Sequence, residues 1–193
     1  MRPVALLHLL SALVGTLLAA ACLFATVAAV DIPVTTPTDL IDLNGDCSLR
    51  EAIEAANTDS AVDGCPAGAG ADVILIPTGT ITLSISPVLT DTNATGDLDL
   101  LTEMTLQGVD ARSTVIDGAG IDRILHISTT AAVTVADLAL TNGRAPSATG
   151  SSGNEISQKG EDGGGILNEG RLTLQRVTVS NNRAGNGESI IMP

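Results

Sequence analysis

The chain of 193 residues is acidic, with a formal net charge of -13 at pH 7 from 22 acidic and 9 basic residues. It contains no Trp or Tyr and a single Phe, so it lacks the aromatic side chains on which sugar faces and unstacked bases commonly stack. Because nucleic acids bind basic surfaces, this composition excludes them as expected partners. The length fits one domain with its own hydrophobic core.

The first segment of the chain is typical of an export signal. Residues 4–30 are almost continuously apolar and are followed at once by polar residues. Small residues precede a cleavage site after Ala29, so we predict a signal peptide over residues 1–29 and a secreted or cell-surface location. A poor lipobox ending at Cys22 and an uncleaved membrane anchor remain alternatives.

Removal of this leader leaves two cysteines, Cys47 and Cys65, and one histidine, His126. In an oxidising compartment an even pair of cysteines is typical of a disulfide, so we predict a Cys47–Cys65 bridge in preference to a metal site or a nucleophile. His126 alternates with apolar residues, which predicts an outward position on a strand. It has no second histidine with which to form a metal site.

A short helix is predicted directly after Cys47. Ser48 and Glu51 have the spacing of a capping box, in which each side chain accepts a hydrogen bond from a backbone N–H of the first turn. Apolar residues at helical spacing then form one face, Arg50 points away from that face, and Asn57 suits a left-handed helix end. The apolar face comprises Leu49, Ala52, Ile53 and Ala56.

Short β-branched runs separated by Gly, Asn and Asp begin at Asp72, and their period of two predicts strands. Two segments that begin at Ala132 and Arg171 share one pattern, which ends in Asn, a turn residue, Arg and Ala. We interpret them as an internal repeat, with residues 146–162 as a surface loop between its copies. Strands this short must stack on neighbours, which predicts a solenoid; an antiparallel β-sandwich is the alternative.

The segment that contains the predicted helix, CSLREAIEAAN, resembles the CSLREA N-terminal region of exported bacterial β-helix proteins. The similarity continues over most of the chain after the leader, at residues 63–68, 71–74, 95–99, 115–118, 122–123 and 163–170. It implies the right-handed parallel β-helix of pectin-lyase-like and polymorphic outer-membrane proteins. We therefore expect an all-β solenoid over residues 72–193 behind an N-terminal capping region at residues 30–71.

The resemblance also implies roles for the ends of the solenoid. The predicted helix would cover the open N-terminal end, and the disulfide would fasten it to the loop that enters the first coil. The family pattern would begin another coil after Gly187, whereas this chain ends at Pro193. We therefore expect a truncated solenoid without a C-terminal cap.

No motif assigns catalytic, cofactor-binding or metal-binding residues. Residues 42–53 fail the EF-hand motif at its sixth and twelfth positions, and loose calcium binding by Asp97 and Asp99 remains an alternative to solvated charge. One charged cluster contains carboxylates beside bases, as acid–base catalysis requires, but its Asp-Gly composition favours turns between strands. The cluster comprises Asp110, Arg112, Asp117, Asp122 and Arg123.

These observations favour a monomeric, non-enzymatic protein of the cell surface or extracellular space. Its predicted role is structural or adhesive, without a cofactor, and its expected partners are surface polysaccharide or components of a host or cell envelope. The alternative is a polysaccharide lyase or glycoside hydrolase of the pectin-lyase-like superfamily. A third hypothesis is a nonfunctional remnant, because an uncapped solenoid invites aggregation.

Overall fold

The computed structural model describes residues 28–88, 92–147, 157–158 and 160–189. The predicted signal peptide up to residue 27, most of the predicted loop at 146–162 and residues 190–193 lie outside the described residues. The helix is α1 (Leu49–Thr58). The strands are β1 (Asp31–Pro33), β2 (Asp72–Leu75), β3 (Gly79–Thr82), β4 (Leu98–Leu100), β5 (Met104–Gln107), β6 (Thr114–Asp117), β7 (Leu125–Ile127), β8 (Ala132–Ala136), β9 (Ala139–Thr141), β10 (Ser157–Gln158), β11 (Ile166–Asn168), β12 (Arg171–Gln175), β13 (Thr178–Ser180) and β14 (Glu188–Ser189).

Three sheets of parallel strands contain most of these elements. Their orders are β1-β2-β5-β8-β12 in the five-stranded sheet, β3-β6-β9-β13 in the four-stranded sheet and β4-β7-β11 in the three-stranded sheet. The chain visits the three sheets in turn: each of the three passes between β2 and β11 adds one strand to each sheet, and β12 and β13 then add one strand each to two of them. The remaining pair, β10 and β14, is antiparallel.

Inward-facing side chains form apolar columns that cross the parallel sheets. In the five-stranded sheet Leu106 pairs with Val135, which pairs with Leu174; in the four-stranded sheet Leu140 pairs with Val179. The earlier members of these columns are fully buried, whereas Leu174 and Val179 are each 47% exposed. The core is therefore closed towards β1 and α1 and reaches solvent at β12 and β13.

The fold class predicted from the sequence, an all-β right-handed parallel β-helix, is wrong for this structure. The described strands are divided among three separate parallel sheets rather than forming one continuous all-β solenoid. The helix is part of the core: seven of its ten residues are buried, and it packs against β1, β2 and β4. Parallel sheets with a packed helix indicate an α/β-type fold. The alternative of an antiparallel sandwich is also wrong, because the ladders of all three large sheets are parallel.

The capping box at the start of α1 is present in both halves. The Ser48 side chain accepts a hydrogen bond from the backbone N–H of Glu51 at 3.2 Å, and the Glu51 carboxylate accepts one from the N–H of Ser48 at 2.9 Å. The helix ends later than predicted, at Asp59 with a φ of 49°. Asn57 is not the helix end because its side-chain amide bonds strand β4, donating to Asp99 O at 2.8 Å and accepting from Leu101 N at 2.9 Å.

The predicted disulfide between Cys47 and Cys65 is confirmed. Both residues are almost fully buried, and their Cα atoms are 4.8 Å apart. The bridge joins the residue before the helix cap to the loop that precedes β2. It therefore holds α1 against the entrance to the parallel sheets.

The structure contradicts the predicted outward position of Arg50, because this side chain is fully buried. Its guanidinium pairs with the Asp39 carboxylate at 2.7 Å and donates to the backbone carbonyls of Asn93, Gly96 and Asp97 at 2.8–3.1 Å. These acceptors replace the water that a buried guanidinium would lose. Arg50 thus connects α1 to the segment between β1 and α1 and to the segment between β3 and β4.

Candidate functional site

An open polar cleft of about 390 Å³ lies where the chain leaves strands β6, β9 and β13. Its polar lining comes from Asp117, Asn142, Arg144, Asn181 and Arg183, and small residues of the adjoining turns complete its walls. Together these residues form the polar cleft. A carboxylate and two guanidinium groups meet in this cleft.

The internal repeat builds the polar cleft. Thr141 of β9 pairs with Ser180 of β13, so the residues that follow these strands lie one above the other. Asn142 and Asn181 adopt the left-handed conformation, with φ of 59° and 58°, which asparagine tolerates better than most residues. The turns then bring both arginines of the repeat to the same edge.

Hydrogen bonds fix the floor of the polar cleft. The Asn142 amide donates to both carboxylate oxygens of Asp117 at 3.1 Å. Behind it, the Asn182 side chain accepts from the N–H of Gly143 at 2.6 Å and donates to Leu140 O at 3.1 Å. The turns are therefore held in place before any ligand binds.

The two arginines of the cleft, Arg144 and Arg183, are exposed neighbours joined by a parallel backbone bridge. The Arg183 guanidinium donates to the Asn186 side chain at 2.9 Å. The Arg144 guanidinium makes no hydrogen bond or ion pair with any residue that the structure describes. With Asp117 as the single cleft carboxylate among described residues, the polar cleft is locally positive on an acidic chain.

A second charged group, which does not line the polar cleft, surrounds Arg123 just before β7. Arg123 binds the Asp97 carboxylate at 2.7 Å and the Glu161 carboxylate at 2.7 Å, with only 6% of its own side chain exposed. Although desolvation opposes the charged form, the bonds to Asp97 and Glu161 raise the pKa of Arg123 above its ordinary value. Arg123 stays cationic and serves as a buried counter-charge.

His126 links the strands of the three-stranded sheet through two carboxylates. Its Nδ1 lies 2.9 Å from Asp99 Oδ1, and its Nε2 lies 3.2 Å from Glu169 Oε2. Desolvation lowers the pKa of His126, but hydrogen bonds to Glu169 and Asp99 outweigh it and raise the pKa above its ordinary value. Because both ring nitrogens face carboxylates, the arrangement favours the doubly protonated imidazolium.

The charged cluster predicted from the sequence does not form one site. Asp117 lines the polar cleft, whereas Asp122 is buried and its carboxylate accepts from the N–H of Arg123 at 2.7 Å. Asp110 closes a turn by accepting from the N–H of Arg112 at 2.8 Å. Residues that are close in sequence lie apart here because consecutive strands of this chain belong to different sheets.

The acidic residues considered for calcium have other partners. Asp97 pairs with Arg123 and Asp99 with His126. Over the described residues, no group of three or more His, Cys, Asp or Glu side chains is arranged to hold a metal ion. The polar cleft was not predicted from the sequence, although the Asn and Arg positions that form it recur in the internal repeat.

Comparisons with known proteins give this chain no relative: no protein-family model, no curated protein and no solved structure matches it. The resemblance to CSLREA proteins therefore stays a prediction from the sequence. Within the described ranges, no helix has the length and apolar character needed to span a membrane.

Proposed function

We propose that this chain is an exported, non-enzymatic protein of the cell surface or extracellular space, with a structural or adhesive role in which the polar cleft binds a surface polysaccharide. The observation that carries this proposal is the preformed, open cleft lined by amide, carboxylate and guanidinium groups. Such groups bond the hydroxyl and acidic substituents of sugars. The apolar lead segment of the sequence supports export.

The position of the charged groups favours binding over catalysis. Hydrolysis of glycosides commonly needs two carboxylates about 5–10 Å apart that face the scissile bond. Within the described part of the chain, the polar cleft contains one carboxylate, Asp117, and Asn142 bonds both of its oxygens. Asp97 and Asp99 are buried and do not line the cleft.

A polysaccharide lyase or hydrolase is the second candidate. It is favoured by one observation, that Asp117 and the cation Arg144 line the same cleft. In that case Asp117→Asn would abolish release of reducing or unsaturated sugars and leave binding intact. A binding protein releases no such products in either form.

Binding and export are tested separately. Purified protein with its disulfide intact is titrated with a panel of neutral and anionic polysaccharides while reducing ends and unsaturated products are followed. We expect saturable binding to at least one polymer without product release; a folded protein that binds none would refute the adhesive role.

Fractionation of expressing bacteria should find the full-length gene product outside the cytoplasm with its leader removed, and retention in the cytoplasm would refute export.

A further inference from the structure

The two arginines of the polar cleft are placed as neighbours by the fold. Their backbones form a parallel bridge, and adjacent strands of a sheet lie about 5 Å apart. Like charges on adjacent strands repel each other and destabilise the pair. The internal repeat nevertheless supplies arginine at both positions, so the cleft concentrates positive charge on a chain of net charge -13.

No described carboxylate neutralises this pair. Arg183 donates to a neutral amide, that of Asn186, and the Asp117 carboxylate is bonded by Asn142. Other arginines in the structure are paired with acids, which are Asp39 for Arg50, Asp97 for Arg123 and Asp137 for Arg176. Arg112 and Arg171 are also without a described carboxylate partner, but each of them stands alone rather than beside another arginine.

Two neighbouring guanidinium groups match an oxyanion. Each presents a planar fork of N–H donors that binds two oxygens of a carboxylate, sulfate or phosphate at once. An oxyanion between them would also relieve their mutual repulsion. The Asn142 and Asn181 amide nitrogens already donate to Asp117 and Thr141. Their side-chain oxygens, which line the cleft beside the arginines, can accept hydrogen bonds from hydroxyl groups next to that anion.

We infer that Arg144 and Arg183 form an oxyanion-binding seat in the polar cleft and that the ligand contributes a carboxylate, sulfate or phosphate group to it. This inference rests on the proposed function and specifies its ligand chemistry. Both guanidinium groups donate hydrogen bonds to the anion, and the neighbouring amides bind the adjacent part of the same ligand. Selectivity for charged over neutral polymers follows from this arrangement.

The test uses the whole protein and four defined polymers. These are polygalacturonate as the carboxylate, dextran sulfate as the sulfate, glycerol-phosphate teichoic acid as the phosphate, and unmodified dextran as the neutral polymer. Inorganic sulfate and phosphate serve as competitors. We expect at least one polyanion to bind more tightly than neutral dextran, with an affinity that falls as salt is added.

Matched variants separate the seat from general charge. Arg144→Gln with Arg183→Gln should weaken polyanion binding about tenfold or more, since charge-assisted bidentate contacts are lost. Arg112→Gln with Arg171→Gln removes the same formal charge elsewhere and should change affinity less than about twofold. Arg144→Lys with Arg183→Lys keeps the charge but not the fork geometry, and should give an intermediate loss.

Each result decides between the inference and the proposed function. Equal binding of neutral dextran and polyanions overturns the seat but leaves polysaccharide binding intact, whereas a folded protein that binds no polymer overturns both. An equal loss in the Arg112 and Arg171 control pair also overturns the seat, because diffuse charge would then explain it. If circular dichroism shows that the glutamine pair at positions 144 and 183 does not fold, the lysine pair decides: unchanged affinity overturns the seat, and reduced affinity supports it.

Discussion

At the scale of single residues, His126 is the side chain whose protonation is expected to change near neutral pH. It lies on β7 between Asp99 of β4 and Glu169 after β11, and Asp97 adds a further negative charge nearby. As an imidazolium it bonds both carboxylates, whereas a neutral ring has only one N–H to donate. The three-stranded sheet is therefore held more tightly by the protonated form.

The sign of the pH dependence follows from the raised pKa of His126 in the folded protein. Its stabilising contribution is fully present below the unfolded pKa, near 6.5, and is lost as pH rises through the folded pKa. We therefore predict that the melting temperature falls as pH rises from about 6 to about 9, and that His126→Gln flattens this dependence. Thermal melts followed by circular dichroism across that range measure it.

Arg176 provides the matched control for this experiment. It pairs with Asp137 at the surface, and its hydrogen bond, together with one from Gln107, lowers the pKa of Asp137 to about 2. This pair keeps its charges across the whole range that titrates His126, so Arg176→Gln should leave the slope unchanged. A slope that persists in His126→Gln, or disappears in Arg176→Gln, would show that another group is responsible.

At the scale of elements, α1 is anchored by its cap and by the buried Arg50. Loss of an N-cap hydroxyl typically costs about 1 kcal/mol, whereas removal of one partner from a buried ion pair costs about 3–5 kcal/mol because the other charge is left unpaired. We predict that Arg50→Ala lowers the free energy of unfolding several times more than Ser48→Ala, measured by urea denaturation. Similar losses in the two variants would mean that water replaces the contacts of Arg50.

The sequence predicts α1 better than it predicts what α1 contacts. Ser48 and Glu51 identify the start of the helix because a capping box depends on residues three apart. Helical periodicity places Arg50 outside the apolar face because it describes the helix alone and not what packs around it. Its partner Asp39 and its carbonyl acceptors around Asn93 are 11 or more residues away, so only the tertiary fold could bring them together.

At the scale of the whole molecule, the two-residue alternation of apolar side chains was enough to predict strands. It was not enough to predict how those strands divide into sheets. This alternation indicates that one face of a strand is buried, but it does not indicate which strand lies beside it. The disulfide could be predicted because Cys47 and Cys65 are the two cysteines outside the predicted leader. The polar cleft could not, because the pairing of Thr141 with Ser180 is what aligns Arg144 with Arg183.

The exposure of the core at β12 leads to a prediction about local stability. Leu106 and Val135 are fully buried, whereas Leu174 in the same column is 47% exposed, and β12 is the last strand of its sheet. Protection from hydrogen exchange tracks burial and the pairing of strands on both sides. Amides of β12 and β13 should therefore exchange faster than those of β5 and β6, read by exchange mass spectrometry on the oxidised protein. Uniform protection through β13 would instead show that another surface, such as a second copy of the chain, covers this end in solution.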